Sequence, residues 1–142
     1  MCIIIDANAA NEITSNSPDA VPVLKRVMGG KLRIVAGQQL KIELLKTPFR
    51  TLYKQLLLAG RFSEFSDAEV SAAQAHPCVQ HCISNDQHVI ALARASGARI
   101  LFSKDEPLHA DFKNKAMIDQ PRGKIYTCKD HERVLDETVC AC

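Results

Sequence analysis

Four short runs of consecutive apolar residues mark the chain, and amphipathic stretches fill most of the intervals between them. Residues 2–5 (Cys-Ile-Ile-Ile) have no polar alternation, the pattern of a strand covered on both faces as in parallel sheets. Arg33-Ile34-Val35-Ala36, stopped by Gly37, is a second such run. Arg99-Ile100-Leu101-Phe102, entered through Gly97, is the third. A weaker fourth covers Lys124 to Thr127.

Helical spacing predicts the elements between. Residues 18–28 open at Ser17-Pro18-Asp19 and place Val21, Leu24, Val27 and Met28 on one face. Residues 38–46 carry Leu40, Leu44 and Leu45, and residues 49–59 carry Phe49, Leu52, Leu56 and Ala59 before Gly60. A further helix runs over 66–75 and ends ahead of Pro77. The strongest pattern lies between Asn85 and Ser96, where Val89 to Ala93 leave no polar face, so this helix should be buried. Ser84 and Gln87 have the spacing of a capping box at its start, and Gly97 supplies its stop. The rest of the segment from Gly60 to Cys82 receives no assignment. Strands alternating with helices predict an α/β fold with a mostly parallel sheet.

Composition narrows the class. A length of 142 residues suits one domain spanning 1–142, and 46% apolar with 24% charged residues is the balance of a globular protein. No apolar run approaches membrane-spanning length, and Asp6 interrupts the first run too soon for a secretion signal, so a cytoplasmic location is expected. The net charge of +2 does not by itself announce a nucleic-acid binder. Its distribution says more. From Lys41 to Arg61, five bases (Lys41, Lys46, Arg50, Lys54 and Arg61) face one acid, Glu43, a patch suited to phosphates or else a solvated helix face. Of the six cysteines, Cys78 and Cys82 flank His81, and Cys140 and Cys142 close the sequence. Their spacing matches no familiar zinc pattern, and without a secretion signal disulfides are disfavoured, so free or buried thiols are expected.

The polar residues that follow the strands carry the chemistry. In open α/β sheets, ligands bind beyond the carboxyl ends of the strands. Asp6 directly follows the first strand, Asp105 lies three residues past Phe102, and Asp86 opens the buried helix leading into the third strand. Glu43, beside Leu40 and Leu44, is placed to point inward from the helix after the second strand. Four such carboxylates repel one another unless a cation joins them, and hard oxygen donors suit magnesium or manganese. Each acid also has an ordinary explanation: helix capping for Asp6 and Asp105, dipole stabilisation for Asp86, an ion pair with Lys46 for Glu43. Their shared edge is the argument.

These segments resemble a known family. Ile3-Ile4-Ile5-Asp6-Ala7-Asn8 looks like the opening motif of PIN-domain nucleases. Ser84-Asn85-Asp86 running into Val89-Ile90-Ala91-Leu92-Ala93 resembles that family's third acidic motif, and Gly97 to Asp105 resembles the fourth, a strand followed by a hydroxyl residue and an Asp. Glu43 falls where the second acid belongs, and the likeness spans roughly residues 2–127. The resemblance implies a three-layer α/β/α domain that hydrolyses RNA phosphodiesters. It implies one or two Mg2+ or Mn2+ ions held by Asp6, Glu43, Asp86 and Asp105. Asn8 and Ser103 would act from behind the ligands, and Asp111 would be an extra or replacement ligand. Lys41, Lys46, Arg50 and Lys54 would contact RNA phosphates. Many such relatives are VapC-type toxins held by a protein antitoxin, and many pair as homodimers.

Two rivals stand beside this reading. One is a PIN-like domain that binds RNA or protein without cutting. The other is a phosphotransfer protein, a phosphatase or receiver domain with its own strand-end Asp. The phosphatase is disfavoured by Asn8 where a second Asp acid is usual, and the receiver by the lack of paired acids and a late lysine.

Overall fold

The computed structural model describes residues 1–142. The apolar runs become a parallel sheet: β1 (Cys2–Ile5), β2 (Arg33–Gly37), β3 (Phe62–Phe65), β4 (Ile100–Phe102) and β5 (Lys124–Tyr126). The spatial order is β3-β2-β1-β4-β5, with every neighbouring pair parallel. Eight helices flank it: α1 (Ala7–Thr14), α2 (Val21–Met28), α3 (Gln38–Leu45), α4 (Arg50–Leu58), α5 (Asp67–Gln74), α6 (Gln87–Ser96), α7 (Glu106–Lys113) and α8 (Glu132–Glu137). The result is the expected α/β/α arrangement.

Apolar cover on both faces explains the central strands. Ile3, Ile4, Ile5, Ile100, Leu101 and Phe102 are completely buried. Burying each such side chain is worth roughly 1.5–3 kcal/mol, which fixes β1 and β4 at the heart of the core. Val89 to Ala93 are likewise buried, so α6 has no broad solvent face. Phe102 and Tyr126 meet edge-to-face at 5.1 Å across β4 and β5. No helix is long and apolar enough to cross a membrane.

Three sequence expectations need correction. The unassigned stretch after Gly60 contains β3, an edge strand whose Phe-Ser-Glu-Phe pattern buries Phe62 while exposing Glu64. Ser84 does not cap α6; Asp86 occupies the N-cap, and the Ser84 hydroxyl instead donates to Asp111 Oδ2 at 2.6 Å. A disulfide does form. It joins Cys2 at the start of β1 to Cys142, because the final residues run back beside Gly97, where Ala141 N–H donates to Gly97 O at 2.9 Å. Cys78, Cys82, Cys128 and Cys140 are free, so the four thiols of the two close pairs are not a set. Burial and nearby negative charge push the Cys82 thiol up to about 11.

Candidate active site

The chain leaves β1 for β2 and β3 on one side, then returns for β4 and β5 on the other. The carboxyl ends of β1 and β4 therefore form the switch point where ligands of open α/β sheets bind. Asp6 and Ser103 are the residues that emerge there. Asp6 N–H donates to Phe102 O at 2.9 Å, extending the β1–β4 ladder into the site.

Asp6 is 5% exposed and held from two sides. Its Oδ1 accepts from Ala7 N–H at 2.8 Å, capping α1, and its Oδ2 accepts from the fully buried Ser103 hydroxyl at 2.8 Å. Capping and site position thus coincide in one residue. Burial raises the Asp6 carboxyl above its ordinary range, and the charges of Glu43 and Asp105 push the same way against the two hydrogen bonds. Asn8 is exposed, and its side-chain oxygen accepts from Lys104 N–H at 3.2 Å, tying the β1–α1 corner to the β4–α7 corner. Ser103 Oγ also accepts from Asp105 N–H at 3.1 Å, so one hydroxyl orients both strand-end acids.

Asp86 and Asp105 sit at the N-caps of α6 and α7, yet neither side chain bonds to the helix it opens. Their carboxylates are left for something else. Burial, hydrogen-bond proximity to Asp105 and the charge of Asp6 push the Asp86 carboxyl up to about 6, while His88 pulls it down. Glu43 on α3 faces the same group: its Oε2 lies 3.4 Å from His88 Nε2, and its Oε1 accepts from Gln39 Nε2 at 3.2 Å. No ion pair with Lys46 forms. Asp6 thus feels the charges of Glu43 and Asp105, and Asp86 those of Asp6 and Asp105.

Asp111 serves differently. It is 2% exposed, with Oδ1 accepting from Ile83 N–H at 3.0 Å and Oδ2 from Ser84 N–H at 2.9 Å and the Ser84 hydroxyl. Ser84 Oγ in turn accepts from Asp86 N–H at 3.3 Å. Asp111 therefore holds the loop that presents Asp86.

His88 is the residue that sequence reading passed over. Its Nε2 is buried without a properly angled hydrogen bond, beside Glu43 and two residues after Asp86. Two positions past an acid that opens a helix was the available signal. His109 was also missed; its Nε2 lies 2.6 Å from Ser103 O and braces the end of β4 from α7.

The basic patch divides. Lys41 pairs with Glu64 at 3.1 Å and lies 5.9 Å from the Tyr53 ring centre, so its charge is already committed. Lys46, Arg50 and Lys54 are exposed on α3–α4 and make no ion pair.

As the side chains lie, no group of three or more His, Cys, Asp or Glu residues stands close enough to hold a metal ion. In kind the donors still suit one: mutually repelling carboxylates, one with its proton held to about 6, beside an orphaned imidazole nitrogen. Neither Asp86 nor Asp105 is fully buried. Comparison with protein-family models, curated proteins and solved structures finds no match for this chain.

Proposed function

We propose that this chain is a metal-dependent endoribonuclease that hydrolyses RNA phosphodiester bonds at the carboxyl ends of β1 and β4. The observation that carries the reading is the pair of N-cap aspartates, Asp86 and Asp105, which cap neither helix and instead face each other near the buried Asp6. A helix start normally uses such a side chain for capping, so two unused ones at a single edge favour a ligand role.

Asp6, Asp86, Asp105 and Glu43 would hold Mg2+ or Mn2+. The ion, when bound, supplies Lewis acidity that polarises the phosphodiester and eases ionisation of the attacking water. The chain's own groups do the rest. Ser103 Oγ keeps Asp6 Oδ2 pointed at the site, and Asn8 fixes the backbone of Lys104 behind Asp105. A carboxylate oxygen of Asp86 or Glu43 takes the proton from the attacking water. Asp111, through Ser84, holds the loop that aims Asp86. Lys46, Arg50 and Lys54 would neutralise phosphates on the α3–α4 side, contributing affinity more than sequence choice. A protein antitoxin and a homodimer are implied by the family resemblance, and neither enters this chemistry.

The test uses purified protein, a labelled single-stranded RNA and manganese, with and without chelator. Cleavage should require the ion and disappear in Asp6→Asn, whose thermal stability should be unchanged or raised because like-charge repulsion is relieved. Cleavage surviving either treatment sinks the reading. The open arrangement of the acids favours a second reading, a domain of this architecture that binds RNA or protein without cutting it. Retained RNA binding without any cleavage would select that one.

A further inference from the structure

On the opposite flank from α3–α4, the edge strand β5 borders a cavity of about 400 Å³. Its walls include His109, Lys113, Arg122, Lys124, Thr127 and His131, and none of its lining residues is acidic. Lys113, Arg122 and Lys124 have no ion-pair partner anywhere in the molecule. Arg122 Nη2 donates to Lys113 O at 3.2 Å, which draws that guanidinium over the last turn of α7. A second hollow of about 590 Å³ shares Arg122, Lys124 and Val134 and continues toward Arg133, which pairs with Glu137 at 3.1 Å. Three unneutralised cations around one concave surface raise the local concentration of anions.

The cavity is joined to the acidic centre. His109 reaches from its wall to Ser103 O at 2.6 Å, and Ser103 is the residue bonded to Asp6. Because Phe102 pairs with Tyr126, Thr127 stands level with Ser103, while Lys124 stands level with Ile100. At about 3.3 Å per residue, the run from Thr127 to Lys124 spans roughly 10 Å. The three cations therefore cluster at the far end of β5, and His109, His131 and Thr127 line the cavity between them and the site.

We propose that this β5 cavity binds the phosphate backbone of the single-stranded RNA flank leaving the acidic centre, with Lys113, Arg122 and Lys124 as its anion contacts. The inference rests on the nuclease reading for its orientation, but its binding test does not need cleavage. The other flank crosses the carboxyl edge toward α3–α4, while this one turns down the outer side of β5. Basic side chains around one such cavity give sequence-independent affinity.

The experiment is equilibrium binding of a fluorescein-labelled 12-nucleotide RNA by anisotropy in chelator, over a range of potassium chloride concentrations. The triple variant Lys113→Gln, Arg122→Gln, Lys124→Gln should reduce the steepness of the log affinity against log salt plot by about 2, at roughly 0.7 per contact for single strands. Thermal melting checks that the variant is folded, and the single variant Lys124→Gln should lose about a third as much. An unchanged salt slope, or a wild-type chain that binds no RNA, overturns the inference. Failure of the nuclease reading looks different: no manganese-dependent cleavage by a wild-type chain whose RNA binding still depends on these three residues.

Discussion

Asp111 shows how much a single buried carboxylate can organise, because it accepts three hydrogen bonds from a loop that otherwise has little to hold it. Asp111→Asn presents an amide to backbone N–H groups that require an acceptor. It should cost about 1.5–3 kcal/mol in urea unfolding, the range for hydrogen bonds to a charged group. A cost near zero would mean that the loop is held elsewhere. Asp86 gives a pH signature. Its folded carboxyl is raised to about 6 from the ordinary 3.8, so the folded chain binds the extra proton between those values. Stability in chelator should fall as pH rises through that window and stay low above it. Asp86→Asn should melt higher than wild type near neutral pH and show a smaller fall; parallel curves for the two proteins would refute this. At this scale the sequence was partly legible. Asp6, Asp86 and Asp105 follow apolar runs or open one, a local signal. The roles of Ser84 and Asp111 were hidden because their bond crosses 27 positions of chain.

Among the elements, those with unbroken apolar runs or full helical spacing were readable, and those half exposed were not. β3 escaped notice because its two phenylalanines stand three positions apart, which is neither an unbroken apolar run nor strict alternation. The α3–α4 cations were visible as neighbours in sequence, whereas Lys113, Arg122 and Lys124 reach one cavity from α7, a loop and β5. The end of α6 carries a further expectation. Gly97 has φ +76°, and a Cβ there would lie 2.5 Å from the Ala141 carbonyl carbon. Gly97→Ala should therefore destabilise by more than the roughly 1 kcal/mol typical of glycine at such positions, because the returning tail must also move. A melting temperature equal to wild type would show that the tail is not packed there.

For the whole molecule, the Cys2–Cys142 bond restrains the chain across a sequence separation of 140. Chain-entropy arguments give such a closure up to about 5 kcal/mol, acting mainly on the unfolded ensemble. Urea unfolding with and without a thiol reductant should show the reduced protein less stable by an amount within that bound; superimposed curves would show that the bond contributes nothing. Sequence could not foresee it, since the pairing depends on where the last residues pack and on no spacing motif. The same bond turns residues 2–142 into a covalent ring threaded through a sheet whose first strand is its centre. A protease that nicks any one exposed loop would leave a single molecule of unchanged mass apart from one water, and two fragments would part only after reduction. New ends opened in the α2–β2 or α4–β3 turns should likewise be tolerated, because the ring already supplies the join that such a rearranged chain would need.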